Sequence, residues 1–263
     1  MRPIVTLLTD FGTSDHYVGA MKGAILSVCP AATVVDITHE VAPYAILEAS
    51  YKLAQSWYCF PPGTIHVVVV DPGVGGARLP ILVEAGSHFF LAPDNGVLTM
   101  ALDVAGSWTA RRISAARYFR QPVSRTFHGR DVFAPIAGQL AAGIGPDALG
   151  TPVDGVRRLD ACVPVRIDHA RWSGRVLSVD RFGNIVTNFR CAEFGWLAER
   201  PFDLAVGNGS VSRFRATYEE SGEEAAFALA GSAGYVEVSA KQASAAMRLD
   251  AVVGGTAILS IQY

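Results

Sequence analysis

The pattern of apolar positions changes character once along the chain. Up to about residue 150, short apolar runs alternate with segments of helical period. Residues 4–9 form an apolar run that stops at Asp10, and 15–29 carry a helical pattern. Residues 33–37 read as a second strand and 44–57 as a second helix. Residues 64–70 are β-branched and apolar almost throughout, as in a strand covered on both faces. The runs 81–84 and 88–91 flank Ala85-Gly86-Ser87 as a hairpin. Asp94-Asn95-Gly96 caps a helix reaching Asp103, and a last helix covers 131–142 before Gly143. Strands alternating with helices predict an α/β layer structure. Residues 150–164 have no helical period and read as a linker. Beyond them, short alternating runs at 165–167, 175–179, 185–187, 202–206, 235–238 and 256–261 are punctuated by Gly and Asn. That texture predicts a small antiparallel β-barrel or sandwich. The expected division is an N-terminal α/β, sandwich-like domain over 1–158 and a C-terminal β-barrel domain over 164–263.

The 263 residues are 50% hydrophobic and 17% charged, a globular composition, and the net charge of −2 points to neither a nucleic-acid nor a membrane surface. No apolar run reaches membrane-spanning length, and Asp10 interrupts the first run before a signal-peptide core could form. Cys29, Cys59, Cys162 and Cys191 are widely spaced and form no C-x-x-C pair, so free thiols in a reducing, cytoplasmic setting are expected. No His/Cys set has zinc-ligand spacing, and neither a P-loop nor G-x-G-x-x-G is present.

Candidate chemistry begins at strand ends, where open α/β sheets bind ligands. Asp10 follows the first strand, and Asp71 follows the 64–70 run, just before Pro72-Gly73-Val74-Gly75-Gly76. Either acid alone could simply tighten a turn. Arg78 follows Asp71 by seven residues, close enough to fold back and pair with it as a surface ion pair or as part of a site. His128, in Thr126-Phe127-His128-Gly129-Arg130-Asp131, could exchange a proton near neutral pH. The other five histidines read as structural. In the second domain, the stretch from Ser178 to Asn188 gathers Asp180, Phe182, Asn184 and Asn188 around a turn. This suits either a polar heteroaromatic ligand or a hairpin with its own Asx hydrogen bonds. The Asp/His collection would also suit a metal phosphoesterase, although no spacing supports one.

These blocks, in this order, resemble the S-adenosylmethionine hydrolase family, also called hydroxide adenosyltransferases, whose superfamily includes fluorinating and chlorinating enzymes. The resemblance runs along essentially the whole chain. It covers Thr9-Asp10-Phe11-Gly12-Thr13, Asp15-His16-Tyr17-Val18-Gly19, Val70-Asp71-Pro72-Gly73-Val74-Gly75, Ala92-Pro93-Asp94-Asn95-Gly96 and Phe127-His128-Gly129-Arg130-Asp131. In the second domain it covers Asp180-Arg181-Phe182-Gly183-Asn184 and Gly231-Ser232-Ala233-Gly234-Tyr235.

The resemblance implies an α/β domain joined to a β-barrel, and a homotrimer with active sites at subunit interfaces. It implies hydrolysis of S-adenosylmethionine to adenosine and methionine with no cofactor. Asp71, Arg78 and His128 match the triad that holds water. Asp10 matches the acid that binds the ribose hydroxyls, and Tyr44 an aromatic lining the ribose. Asp180 matches the acid facing the methionine ammonium, Asn184 the amide reading adenine, and Ser232 a group near the methionine carboxylate. Phe182 would pack near the adenine and Tyr218 would stack on it. The departures are Ala233, where halogenating members carry Arg, and Ala240-Lys241-Gln242 in the adenine loop, where contacts would fall to backbone. A halogenase and a non-catalytic binder of S-adenosylmethionine or adenosine are the alternatives, and the Asp71 and His128 pairing disfavours the first.

Overall fold

The apolar run before Asp71 is a strand because both of its faces are covered. In the computed structural model, which describes residues 2–222 and 225–262, the chain divides into two units, Met1–Leu159 and Asp160–Tyr263. Among the described residues of the first, one sheet holds β1 (Ile4–Thr9), β2 (Thr33–Thr38), β3 (Ile65–Val69), β4 (Pro80–Ala85), β5 (His88–Pro93), β6 (Trp108–Ile113) and β7 (Gly150–Val153). Their order is β2-β1-β3-β5-β4-β6-β7. The strands β2, β1, β3 and β5 pair in parallel, and β4, β6 and β7 extend the sheet antiparallel. Alternate residues of β3 enter different cores. Ile65, Val67 and Val69 pack with Met21, Ile25, Phe133 and Ile136 from α1 (Tyr17–Val28) and the segment running into a later helix. Val68 and Val70 pack with Leu53, Trp57, Ala101 and Leu102, reached through α2 (Ile46–Ala54) and α3 (Thr99–Ala105). The later helix is α4 (Ala134–Ala141), beside α1. This is an α/β/α sandwich.

Several local expectations shift. The second helix begins at Ile46 because Tyr44 adopts φ +67°, outside helical space. The Asp94-Asn95-Gly96 turn does not cap α3, which starts three residues later. Asn95 instead donates from Nδ2 to the Val70 carbonyl at 2.9 Å, tying down the end of the strand just ahead of Asp71. The last helix is preceded by a wide π-helical turn over Gly129–Phe133, so α4 proper starts at Ala134. Part of the expected linker is β7, which pairs with β6; a four-residue edge strand has no periodic signature of its own.

In the second unit, the described strands are β8 (Val165–Arg166), β9 (Arg171–Val179), β10 (Ile185–Arg190), β11 (Phe202–Val206), β12 (Gly209–Val211), β13 (Phe227–Ala230), β14 (Tyr235–Ser239) and β15 (Thr256–Ile261), with short helices α5 (Cys191–Phe194) and α6 (Ala245–Leu249). The order is β12-β11-β15-β9-β10-β14-β13, antiparallel throughout, with β8 on β9. Just after β12, Arg213 accepts from and Arg215 donates to the backbone of Ala228 in β13, each at 2.8 Å. The two edges therefore meet, and the sheet is a nearly closed barrel around Val176, Phe189, Phe202, Leu204, Val236 and Leu259. Among the described residues, no helix is long and apolar enough to cross a membrane.

Two buried histidines sit on the α2/α3 side of the first sheet. His66 Nδ1 lies 2.7 Å from Thr6 Oγ1, and His66 Nε2 lies 3.1 Å from His88 Nδ1. Burial, reinforced by the neighbouring His88, pushes His66 down to about 3 from an ordinary 6.5. The unfolded chain therefore binds a proton at a pH where the folded one refuses it. Stability is complete above about 6.5 and falls as the pH drops toward 3. The expected slope from this residue is about 1.4 kcal/mol per pH unit within that window. Urea midpoints at pH 7 and pH 5 would measure it, and His66→Gln should flatten the dependence.

Candidate active site

A cleft of about 380 Å³ opens at the carboxyl ends of the parallel strands, lined by Asp10, Phe11, Tyr17, Tyr44, Asp71, Phe127 and His128 among others. Asp10 stands immediately past β1 and Asp71 two residues past β3, so sheet geometry alone carries both acids to one rim. Phe11, Tyr17 and Phe127 form a mutually packed aromatic wall, with ring centroids 5.1–5.9 Å apart. Sequence reasoning named none of these three as site residues, although all lie within the blocks that carry the resemblance.

Asp71, Arg78 and His128 are joined in one chain of contacts. Arg78 Nε donates to both carboxylate oxygens of Asp71, at 3.1 and 3.0 Å, and Nη2 donates to Oδ2. The same Nη2 lies 2.8 Å from His128 Nδ1. The two ion-pair side chains are only 4% and 6% exposed, so the pair is held away from solvent. Arginine has no acceptor, so His128 Nδ1 must accept, and the neutral ring carries its proton on Nε2. Burial lowers the His128 pKa from its ordinary value, and the Arg78 charge lowers it further.

The loop between Asp71 and Arg78 returns on itself at Gly75. That residue has φ +76°, and a Cβ there would lie 2.3 Å from the Arg125 carbonyl oxygen. Only glycine lets this loop settle against the segment leading to His128. Asp131 is fully buried in the π-helical turn, where it accepts from the Ser124 backbone and from Arg130, anchoring the same segment.

Across the cleft, the Tyr44 backbone N–H donates to Asp10 Oδ2 at 2.9 Å. Tyr44 combines φ +67° with a side chain left open to solvent, the residue being 72% exposed. A bulky residue held in the left-handed region marks a place where the surrounding structure imposes the conformation. Glu48 supplies part of that support, accepting from the Ala42 backbone at 2.9 Å. Burial raises the Asp10 pKa, the Tyr44 N–H opposes the rise, and the charge of Asp71 adds to it.

The second unit carries its own cavity of about 630 Å³, lined by Phe182, Asn184, Tyr218, Lys241, Gln242 and Ser244 among others. The turn between β9 and β10 shapes it. Asp180 accepts from the backbones of Phe182 and Asn184 at 2.8 and 2.9 Å and from the Asn184 amide at 2.8 Å. The Asx hydrogen bonds open to the sequence are therefore present, and they present Phe182, 78% exposed, beside the buried Asn184. Ser232 lies apart from this cavity lining, exposed in the turn between β13 and β14, with Ala233 next to it. Gly183 has φ +85°, and a Cβ would sit 2.1 Å from Ser244 Oγ. Gly183→Ala is expected to lower stability by roughly 1–3 kcal/mol, read as a shift in urea midpoint.

Among the described residues, no group of three or more His, Cys, Asp or Glu is arranged to hold a metal ion. The arrangement in the first unit can instead hold one small polar molecule. It offers an acceptor with a proton-binding oxygen, an oriented imidazole donor and a fixed positive charge behind them.

The SAM hydroxide adenosyltransferase N-terminal domain model matches residues 5–150, and the corresponding C-terminal domain model matches 174–257. An (R)-S-adenosyl-L-methionine hydrolase of Thermus thermophilus is 37% identical, covering 93% of this chain and 94% of its own. A fluorinase of Nocardia brasiliensis matches 93% of this chain and 92% of its own at 26% identity. The solved structure of an uncharacterized conserved protein from Thermotoga maritima superposes with a TM-score of 0.86 at 32% identity, over 97% of this chain and 99% of that one. With both domain models matched in order and a full-length relative above 30% identity, the chain belongs to the SAM hydroxide adenosyltransferase family.

Proposed function

We propose that this protein hydrolyses S-adenosyl-L-methionine to adenosine and L-methionine by attack of water on C5′. The observation that carries the reading is the Asp71–Arg78–His128 chain at the rim of the parallel sheet. The sulfonium is already a good leaving group, so catalysis must supply an oriented nucleophile. Holding water in line with the C5′–S bond recovers the entropy of bringing the two together. In the step itself, a water oxygen bonds to C5′, the C5′–S electron pair leaves on sulfur as neutral methionine, and one proton is released. A carboxylate has about four lone-pair sites, so Asp71 retains capacity to take that proton while bonded to Arg78. His128 presents Nε2–H as a donor to the water oxygen. A relay through His128 would require Nδ1 to surrender its bond from Arg78, so we assign it the orienting role.

The remaining residues are read as substrate contacts. Asp10 and Tyr44 take the ribose, Phe182, Asn184 and Tyr218 the adenine, and Asp180 and Ser232 the amino-acid end. The homotrimer with sites at subunit interfaces is what the family resemblance implies, and the exposed Tyr44 and Phe182, each lining a cavity, suit sites completed by another copy. No cofactor is needed for this reaction, and the free cysteines suit the cytoplasmic location proposed for it. The Thermus relative is named for the (R) sulfonium epimer, which is therefore the form to test first.

Incubation with S-adenosylmethionine, with and without chloride, should yield adenosine and methionine in equal amounts and no halogenated nucleoside. Bound but unconverted substrate, or 5′-chloro-5′-deoxyadenosine, would overturn the proposal. Because His128 must be neutral to accept from Arg78, activity should fall on acidification. The midpoint of that acid limb of kcat is expected below the ordinary histidine value of 6.5, following the lowered His128 pKa.

A further inference from the structure

A second chain of polar contacts, buried at Thr9 and His39 and open to solvent at Asp36 and Lys22, runs from the end of β1. Thr9, the last residue of β1, is fully buried, and its Oγ1 lies 2.9 Å from His39 Nδ1. The same hydroxyl oxygen accepts from the Phe11 backbone N–H at 3.2 Å. On the other side of the imidazole, His39 Nε2 stands 3.0 Å from Asp36 Oδ1, and Lys22 Nζ lies 2.5 Å from Asp36 Oδ2. His39 itself is only 4% exposed, and its backbone carbonyl accepts from Gly12 at 2.8 Å.

The directions at the two ends of this chain follow from chemistry. Lys22 donates to Asp36 and the Phe11 N–H donates to Thr9 Oγ1, while His39 Nε2 makes an ion-pair contact with Asp36 without hydrogen-bond alignment. The contact favours the ring proton on Nε2, facing the carboxylate, with Nδ1 as an acceptor. The Thr9 hydroxyl then donates to Nδ1 while accepting from Phe11. Burial works to raise the Asp36 pKa, but the contacts from Lys22 and His39 outweigh it and leave that carboxyl below its usual range, consistent with an ionised partner. The Thr9 hydroxyl and the Phe11 N–H are both paired, and the buried His39 ring is held between Thr9 and Asp36. Asp10 lies between the two residues this chain ties down, Thr9 and Phe11, so its carboxylate direction depends on them.

We propose that His39 is a positioning residue for ribose recognition: through Thr9 it fixes the turn that aims the Asp10 carboxylate into the cleft. This rests on the reading of Asp10 as the acid that binds the ribose hydroxyls. A misaimed carboxylate loses the short, directional bonds that make charged acceptors effective, while contacts to the base and the amino-acid end are untouched.

The test compares binding of adenosine and 2′,3′-dideoxyadenosine to the full-length protein by calorimetry. Wild type should prefer adenosine, and Asp10→Asn should remove most of that preference. His39→Leu should weaken adenosine about tenfold, the scale of one charge-assisted hydrogen bond, and leave the dideoxy compound unchanged. His39→Asn, whose amide falls near the position of ring Nδ1, should restore most of the preference. Asp36→Asn, at a partly exposed position, should reduce it by a smaller factor, and it carries the test if His39→Leu fails to fold. Equal weakening of both ligands, or none, would overturn the role of His39. If Asp10→Asn keeps the wild-type preference, the ribose reading itself fails, and that failure is distinguishable because it does not involve His39.

Discussion

Asp71→Asn is expected to reduce kcat by about 10²–10⁴-fold with little change in KM, the range that general base assistance supplies. The substitution preserves shape and leaves one oxygen to accept from Arg78, but it removes the proton acceptor and the negative charge. A fall in kcat with unchanged KM identifies an interaction made in the transition state rather than in substrate binding. Because both partners are nearly excluded from solvent, the variant also strands the Arg78 charge. Removing one member of such a pair typically destabilises by roughly 3–5 kcal/mol. A lower melting temperature should therefore accompany the kinetic effect, and rates must be compared well below the transition. Unchanged turnover in folded protein would remove Asp71 from the mechanism.

Arg78→Lys is expected to lower kcat by about 10²-fold although the charge is retained. Arg78 uses Nε and Nη2 as a fork on Asp71 and shares Nη2 with His128, while the guanidinium lies 5.7 Å from the centre of the Phe133 ring. An ammonium is a point donor that cannot hold the carboxylate and the imidazole at fixed separation, so the water would lose its alignment. Steady-state kinetics on the purified variant would measure the loss. A rate within a few-fold of wild type would mean that charge alone is required and that the fork geometry is incidental.

What the sequence made legible follows from which interactions are local. The strand before Asp71 could be read because a run apolar at every position has to be covered on both faces, and β3 is. Arg78 could be tied to Asp71 because seven residues containing three glycines can fold back. His128 was different: its motif made it a candidate, but it meets Arg78 across 50 positions, and only the family resemblance tied it to Asp71 and Arg78. The left-handed Tyr44 was not legible, since neither Gly nor Asn marks the position and the conformation is imposed by Asp10 and Glu48 from other elements. Likewise β7 exists because β6 offers it an edge, and the π-helical turn ahead of α4 because Asp131 is pinned by Ser124 and Arg130. The Tyr44–Asp10 contact and β7 depend on partners distant in sequence, and the π-helical turn on side-chain contacts, none of which period and propensity register. His39 read as structural for the same reason. Its significance lies in connecting Asp36 to Thr9, a juxtaposition that the fold creates.

Whether water, and not a protein group or a halide, attacks C5′ of S-adenosylmethionine is decided by turnover in H₂¹⁸O followed by mass analysis of the nucleoside. Water attack gives adenosine carrying one ¹⁸O at its 5′ oxygen, alongside unlabelled methionine. Adenosine without the label, or a halogenated nucleoside in its place, would contradict it.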